Sequence, residues 1–428
     1  MLIWSPLIRR VIVPATNPAV NRFRGLDPAR QQFYSGTGSL MESSMQLFTM
    51  RAVPEILFGQ GRLDELGSKV SAIAGTSLSV FLLADPALAP SGTIAKARQS
   101  LSDAGHTAAV FDGFAGEPTS ELIDAASAMA YETKAQCIVG LGGGTVLDTA
   151  KLVACCAASG DSAEVYELCK TPLPAGPLPC IAIPTTAGTG SEVTSTSVFT
   201  NSRHVKVWAW GSELKPRLAL LDPELTIGVP QSITAATALD ALVHAIEACT
   251  NRNRNDMADL FCHRAISLIT ANLGRVLANG ADIEARGALL LGSCLAGIGI
   301  ENCGTALAHN ISHALASLAP IPHGRATGLA MLATIDWVAE AAPDDFSRVA
   351  RAMGQNSNPS SAVEVFAKLV RSSGIKVSLA GEGFDLNRPD MLAAQMAAPE
   401  NASMRKSTPR LVSDDDLLML ATRLYALR

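Results

Sequence analysis

Short apolar runs alternate with helical stretches from about residue 47 to residue 229. The runs are rich in β-branched residues and end at turn residues, which is typical of buried strands. The predicted strands are Ser79–Leu83, Ala108–Phe111, Cys137–Leu141, Cys180–Ile183, Val205–Trp210 and Leu218–Leu221. Helical patterns such as Glu121–Thr133 and Val146–Ala158 lie between them. This alternation predicts a parallel sheet with helices on both faces.

The pattern changes after residue 230. Long Ala- and Leu-rich stretches with little strand signal predict helices at Ala235–Thr250, Asp256–Leu277, Ile283–Ile300 and Ala306–Ala319. We therefore predict an α/β domain over residues 45–230 and an all-helical domain over residues 231–428.

Residues 1–44 differ from both halves. In the first 40 residues five arginines face a single acid, Asp27. Such a segment fits a targeting sequence, and it equally fits a disordered tail before a later start at Met41, Met45 or Met50. We favour the disordered tail.

Composition narrows the class of protein. Hydrophobic residues make up 48% of the 428 residues and charged residues 17%, which is typical of a well-buried globular enzyme. The net charge of −5 gives no basic surface for nucleic acid, and no apolar run is long enough to predict a membrane span. Nine scattered cysteines without a CxxC pair indicate reduced thiols and a cytoplasmic protein.

A glycine turn follows one predicted strand. Gly142, Gly143, Gly144 and Thr145 lie between Cys137–Leu141 and a helical run. Backbone N–H groups in such a turn can approach a phosphate, and the helix N-terminus adds positive potential. We expect Thr145 at the N-cap, where a hydroxyl is favoured. Taken alone, the three glycines fit an ordinary tight turn equally well.

A second small-residue segment, from Pro184 to Thr194, also follows a predicted strand. Its hydroxyl groups suit the wall of a nucleotide site better than a core. Asp85, at the end of an earlier strand, could accept hydrogen bonds from an adenosine ribose, which favours NAD over NADP. The alternative is a turn aspartate before Pro86.

Two residue pairs have the spacing of metal ligands on a helix. Asp240 and His244 share one helix face and have almost wholly apolar neighbours. His309 and His313 have the same i, i+4 spacing, and His323 follows. Buried carboxylate and imidazole groups need partners, which a cation supplies. Ligands of this type suit Fe(II), Zn(II), Ni(II) or Mn(II), whereas a hydrogen-bonded core pair would explain Asp240 and His244 as well.

Together these segments resemble the iron-containing (group III) alcohol dehydrogenase family. The Gly-Gly-Gly-Ser-x-x-Asp-x-Ala-Lys pattern of that family is matched at Gly142–Lys151, with Thr145 for Ser. Its Thr/Gly-rich segment is matched at Pro184–Thr194, its Asp-Pro-Glu-Leu-Thr run at Asp222–Thr226, and its Asp-Ala-Leu-x-His signature from Asp240. The resemblance extends from about residue 47 to the C-terminus.

The resemblance implies a Rossmann-like dinucleotide-binding domain followed by an all-α metal-binding domain, an architecture shared with dehydroquinate synthase. It implies that Asp240, His244, His309 and His323 bind one divalent metal, with Fe(II) first among the candidates. His313 would lie beside nicotinamide and substrate, where its ordinary pKa would suit proton relay. The implied NAD contacts are Asp85, Gly143, Gly144, Thr145, Asp148, Thr185, Thr186, Thr189, Ser191, Thr194 and Lys206.

We therefore predict reversible oxidation of a small alcohol to an aldehyde or ketone with NAD, by a homodimer or larger homo-oligomer. A second hypothesis keeps the fold but gives it a carboxylate-bearing substrate, as in maleylacetate reductases. It rests on Arg325, two residues beyond His323, whose guanidinium could clamp a carboxylate unless it faces outward. A third hypothesis is a non-catalytic nucleotide- or metal-binding protein on the same scaffold.

Overall fold

The computed structural model describes residues 47–428, and its first half combines strands with helices. The strands are β1 (Glu55–Phe58), β2 (Ser79–Ala84), β3 (Thr107–Phe111), β4 (Cys137–Gly142), β5 (Cys180–Pro184), β6 (Thr196–Thr200), β7 (Lys206–Trp210) and β8 (Leu218–Leu221). The helices are α1 (Leu66–Ala74), α2 (Thr93–Asp103), α3 (Ser120–Glu132) and α4 (Gly144–Ser159).

Six of these strands form a parallel sheet in the order β1-β8-β5-β4-β2-β3. The predicted parallel sheet is therefore confirmed, and its central strands β2, β4 and β5 are almost wholly buried because helices cover them. The short edge strand β1 escaped the sequence analysis. The chain turns from one side of β2 to the other between β3 and β4, and a ligand crevice is expected at the carboxyl ends of strands on either side of such a reversal.

One predicted strand has a different place from the others. The strand predicted at Val205–Trp210 forms as β7, but it pairs in antiparallel fashion with β6 outside the main sheet. Its burial alternates, whereas the runs in the parallel sheet are continuously buried. The hairpin projects beside the sheet and contributes to the cavity described below.

The second half is helical among the residues described. Its helices are α5 (Gln231–Thr250), α6 (Asp256–Ala278), α7 (Ile283–Cys303), α8 (Leu307–Ala316), α9 (His323–Ala339), α10 (Pro343–Ala352), α11 (Pro359–Ser372), α12 (Pro389–Ala397), α13 (Ala402–Ser407) and α14 (Asp414–Tyr425). Helices α5 and α7 are long and apolar enough to cross a membrane by length and composition, but both are packed into the core of this half.

The four predicted helices correspond to α5–α8, and α8 ends three residues earlier than predicted. The domain boundary near residue 230 stays a prediction, as does the extension over residues 1–44, all of which lies outside the described residues. Residues Phe48–Arg428 form one compact unit.

Candidate functional site

The carboxyl ends of three neighbouring strands meet at one edge of the sheet. Asp85 follows β2, Gly143 follows β4 and Thr185 follows β5. Backbone hydrogen bonds join these ends, because Asp85 N donates to Leu141 O and Thr185 N donates to Gly142 O. The parallel sheet thus brings together residues that the sequence analysis assigned to the cofactor.

Asp85 makes the contact of a turn aspartate and lies at the edge of the crevice. One carboxylate oxygen, Oδ1, accepts a hydrogen bond from Ala87 N at 2.9 Å, as a turn aspartate does. The side chain nevertheless lies beside the glycine turn, since a Cβ added to Gly142 would be 3.2 Å from the Asp85 Cβ. Asp85 therefore caps a turn at the edge of the crevice.

The expected N-cap at Thr145 is wrong by two residues. Helix α4 begins at Gly144, and the N-cap is Gly143, whose backbone is extended and supplies no side-chain cap. Thr145 lies inside the first helical turn instead. The first turn consequently keeps N–H groups that no capping side chain takes, as an anion site at a helix N-terminus requires.

Gly144 also permits the glycine turn at residues 142–145 to approach the segment from Pro184 to Thr194, hereafter the threonine loop. A Cβ at this position would lie 2.6 Å from the Thr189 Cγ2, so any larger residue would push the threonine loop away. Thr186 lies close to Gly143 in the same way, with its Oγ1 3.4 Å from where a Cβ would be. The glycine turn and the threonine loop therefore form one wall.

Asp148 and Lys151 fix the threonine loop to α4. Asp148 accepts hydrogen bonds from Ser191 Oγ and Val198 N and lies 3.0 Å from the Lys151 ammonium. Lys151 is fully buried and donates to Ser191 O and Thr194 Oγ1. Asp148, Ser191 and Thr194 are thus linked through Lys151, which organises the wall that they line.

The four predicted metal ligands come from three helices. Asp240 and His244 lie on α5, His309 lies on α8, and His323 is the first residue of α9. The Nε2 atoms of His309 and His323 are 3.6 and 3.7 Å from Asp240 Oδ1, and the rings of His244 and His309 stack at 4.5 Å. The hydrogen-bonded core pair considered above does not describe this cluster, because His244 Nδ1 is 4.0 Å from Asp240 Oδ2.

Two atoms at the centre of the cluster are buried without a partner. Asp240 Oδ1 and His309 Nε2 have no hydrogen-bond partner among the residues described. Leaving such atoms unsatisfied is costly, and a cation between them would satisfy both. Ligand atoms of Asp240, His244 and His309 also lie within 4.8 Å of one another. The donor set therefore fits one divalent metal.

Each imidazole is oriented through its other nitrogen. His309 Nδ1 is 2.6 Å from Glu247 Oε2, His323 Nδ1 is 3.0 Å from Ser312 Oγ, and His244 Nδ1 is 3.3 Å from Gly188 O. Glu247 also accepts hydrogen bonds from the backbone N–H groups of Ala306 and Ala308. The sequence analysis did not single out Glu247, although a carboxylate three residues after His244 in an apolar helix was a usable signal.

The cluster shifts the protonation of its own members. Burial opposes ionisation of Asp240, but the imidazoles of His244, His323 and His309 hold the pKa of its carboxyl well below the usual value. Burial lowers the pKa of His323 to about 3. It also opposes the charge on His309, but the carboxylates of Glu247 and Asp240 raise the pKa of His309 to about 9. Neutral imidazole is the form that binds a metal, so a metal at this site would compete with the proton on His309.

His313 lies next to the cluster rather than in it. Its ring meets that of His323 edge-on, with centroids 5.6 Å apart. Burial, together with the charge of Lys206, holds the pKa of His313 well below the ordinary value expected from the sequence. His313 is therefore neutral at pH 7. Lys206 itself is paired with Glu117, whose Oε1 is 3.0 Å from the ammonium nitrogen.

One cavity of about 660 Å³ joins these features. It is lined by all four predicted ligands and by His313, Lys206, Gly144, Thr145, Asp148, Thr189, Ser191 and Thr194. Asp85, Gly143, Thr185 and Thr186 belong to the same sheet edge but are not among its lining residues. Arg51, Trp208, Trp210 and Met404 line the same cavity, and the sequence analysis identified none of them.

The structure does not bring Arg325 to this cavity. Its guanidinium donates to Lys376 O, Ser378 O and the Glu382 carboxylate, which is 2.5 Å away. With its donors already engaged, this side chain ties α9 to the segment before α12. The carboxylate clamp predicted at Arg325 therefore has no support in its contacts.

Two sequence models of one family match most of the chain. The model described as iron-containing alcohol dehydrogenase matches residues 54–223, and the C-terminal model of the Fe-containing alcohol dehydrogenase family matches residues 234–425. The probable alcohol dehydrogenase EutG of Escherichia coli K12 is 33% identical over 375 residues, covering 87% of this chain and 93% of that protein.

Solved structures give the same result for the fold. The crystal structure of a 1,3-propanediol oxidoreductase is 28% identical, with a TM-score of 0.81 over 89% of this chain and 100% of that chain. Sulfoacetaldehyde reductase from Bifidobacterium kashiwanohense, solved in complex with NAD⁺, is 27% identical, with a TM-score of 0.82 over 89% and 99%.

Proposed function

The chain belongs to the iron-containing alcohol dehydrogenase family, and we propose that it oxidises a small alcohol reversibly with NAD through a metal held by Asp240, His244, His309 and His323. The observation that carries the metal assignment is a pair of buried atoms in the cluster, Asp240 Oδ1 and His309 Nε2, that have no hydrogen-bond partner within residues 47–428. A cation bound between these two atoms would satisfy both of them, and a carboxylate oxygen and an imidazole nitrogen are ordinary ligands of such a cation.

In the proposed reaction the metal and NAD supply the chemistry, and the protein binds and orients them. A divalent metal here supplies Lewis-acid polarisation of the substrate oxygen, and NAD supplies the hydride acceptor. Glu247, Ser312 and Gly188 orient the three imidazoles through Nδ1. The first turn of α4 and the threonine loop hold the dinucleotide, with Lys206 beside it.

His313 is the proposed proton acceptor. Its ring is neutral at physiological pH, because burial and the charge of Lys206 hold its pKa well below the ordinary value. The free nitrogen lone pair takes up the proton of the alcohol, and the low pKa means that the ring passes this proton on rather than keeping it. Its ring contacts that of His323, but His313 is not one of the four proposed metal ligands. This division of labour separates proton transfer from metal binding.

Asp85 supports the choice of NAD over NADP, since its carboxylate at the crevice edge would repel a 2′-phosphate. We further propose iron(II) as the metal, a homo-oligomer as the assembly and the cytoplasm as the location. These finer assignments rest on the family and on the scattered, mostly buried cysteines.

Two single substitutions test the division between ligand and proton acceptor. We expect His323→Ala to lose both bound metal and NADH-linked turnover. We expect His313→Ala to keep its metal and to lose roughly a hundredfold or more in kcat, because general-base catalysis contributes on that order. Metal content by mass spectrometry and NADH absorbance measure the two effects separately.

The control is His204→Asn, since His204 is exposed and has a positive φ that asparagine tolerates. This variant should match the wild type in metal content and turnover. Metal lost from His313→Ala would overturn the division of roles. Full turnover by metal-free His323→Ala would overturn the proposed function itself.

A further inference from the structure

The outer part of the cavity has apolar walls and a guanidinium at its rim. Trp208, Trp210, Ile300 and Met404 line this part, which suits the carbon chain of a substrate better than a second polar group. Arg51, from the segment before β1, lines the same region and is exposed. One cavity is therefore lined by the metal cluster, by a group of apolar side chains and by an exposed arginine.

Other charged side chains of the cavity wall, apart from the metal cluster, have partners of opposite charge. Lys206 is paired with Glu117, Asp148 with Lys151, and Glu301 with Lys215. Within residues 47–428 Arg51 forms no ion pair. An uncompensated cation at the rim of an otherwise neutralised cavity attracts an anionic group of the ligand.

Arg51 is also held in place. Its backbone N–H donates to Asn302 Oδ1 at 2.7 Å, and Nη1 donates to Glu301 O at 2.6 Å. The guanidinium carbon lies 4.7 Å from the centre of the Trp210 ring, within the range of a cation–π contact. These contacts use one of the five guanidinium N–H donors and leave the rest for a ligand. Because the side chain is already ordered, less conformational entropy is lost when a ligand binds.

We propose that the substrate carries a terminal oxyanion group, a carboxylate or a sulfonate, at the end opposite its hydroxyl or aldehyde carbon, and that Arg51 binds it. A guanidinium pairs with either group through two parallel hydrogen bonds. The tryptophans and Met404 pack against the carbon chain between the two ends. This inference rests on the proposed function and specifies its substrate class.

The test compares alcohols and anionic alcohols of matched length. Wild type and Arg51→Met are assayed with NAD on 1-butanol and 1-hexanol, on 4-hydroxybutyrate and 6-hydroxyhexanoate, and on 3-hydroxypropanesulfonate. We expect wild type to favour at least one anionic substrate over the neutral alcohol of equal length. Arg51→Met should lose about tenfold to a hundredfold in kcat/KM on that substrate, the usual effect of a charge-assisted hydrogen bond, and keep its rate on the neutral alcohols.

The chain contains a matched control. Arg410 stacks on Trp337 at 3.9 Å and donates from Nη1 to the Trp337 carbonyl, as Arg51 does with its own partners, but it does not line the cavity. Arg410→Met should leave the preference for the anionic substrate unchanged. Raising the salt concentration should raise KM for the anionic substrate in wild type and not in Arg51→Met, because a rim charge is screened.

A binding measurement separates this inference from the proposed function. Pentanoate and 1-pentanesulfonate lack a hydroxyl, so their binding by calorimetry requires no turnover, and it identifies which oxyanion Arg51 prefers. Binding to wild type but not to Arg51→Met supports the inference even if every alcohol fails as a substrate, which would overturn the function alone. Equal binding or equal kcat/KM losses on both substrate classes would overturn the inference, as would turnover of neutral alcohols without any preference for the anionic ones.

Discussion

At the scale of residues, Glu247 connects the metal site to the start of α8 through three hydrogen bonds. Its carboxylate receives the backbone N–H groups of Ala306 and Ala308 as well as His309 Nδ1. One side chain on α5 thereby positions the first turn of α8 and fixes the tautomer of a ligand on it. In arrangements of this kind the carboxylate makes the imidazole a more basic metal ligand and also fixes the orientation of its ring.

We expect Glu247→Gln to weaken metal binding about tenfold to a hundredfold. The amide is nearly the same size, but its NH₂ group would face an N–H donor that the carboxylate now accepts from. Competition with a chromogenic chelator gives the affinity. Glu364→Gln, at an exposed position on α11, is the control and should not change it. An unchanged affinity in Glu247→Gln would contradict the positioning role.

The sequence was sufficient to predict which metal ligands share a helix face, but it did not predict where long side chains point. Asp240 and His244 could be placed on one helix face because their i, i+4 spacing determines it. Arg325 could not be placed, because a guanidinium reaches several ångströms from its backbone and its partners Glu382 and Lys376 are distant in sequence. The position of Arg51 could not be predicted for the same reason, since its stacking partner Trp210 is distant in sequence.

At the scale of elements, burial on two faces made the parallel strands predictable. Continuously apolar runs such as Ile138–Leu141 can only be central strands or buried helices, and flanking turn residues decide between them. The β6–β7 hairpin has alternating burial, and sequence pattern gave its strand character but not its partner. Pairing is set by tertiary contacts, which periodicity does not contain.

Two glycines allow α7 to pack directly against the threonine loop. Gly190 has a φ of +63°, and a Cβ on Gly297 would lie 2.7 Å from Gly190 O. We expect Gly297→Ala to destabilise the fold by about 1–3 kcal/mol and to raise KM for NAD, because the backbone of the loop must move away. Chemical denaturation and initial-rate kinetics measure the two effects.

Gly274→Ala is the matched control for this substitution. Gly274 lies in α6, is exposed, and has no atom within 4 Å of an added Cβ. Alanine is the better helix former, so this change should leave the KM for NAD unaltered and stabilise the fold by up to about 1 kcal/mol. A KM that stays at the wild-type value in Gly297→Ala would show that the loop does not depend on this contact.

At the scale of the whole molecule, a buried ion pair joins the strand-containing half to the helical half. Lys215, just before β8, lies 2.9 Å from Glu301 near the end of α7, and their side chains are 14% and 3% exposed. Ser195 completes the contact by donating its backbone N–H and its hydroxyl to the Glu301 carboxylate. The predicted boundary near residue 230 separates the partners in sequence, so no local pattern indicated the pair.

We expect Lys215→Met to destabilise the protein by about 3 kcal/mol, because it leaves the Glu301 charge buried without its cation. Thermal unfolding should show the loss. Arg388→Met removes one partner of an exposed ion pair with Asp390 and should change stability by about 0.5 kcal/mol or less. Equal effects of the two substitutions would mean that the contact between the halves does not depend on this pair.

The metal ligands and the rim of the cavity come from different parts of the chain. The ligands and their orienting partners lie almost entirely on α5, α8 and α9, whereas the rim is built by the segment before β1, the β6–β7 hairpin and α13. Substitutions at Arg51, Trp210 or Met404 can therefore alter which molecules are accepted without disturbing the groups that perform the oxidation. In evolutionary terms, the arrangement lets new specificities arise by drift at the rim while selection preserves the catalytic centre.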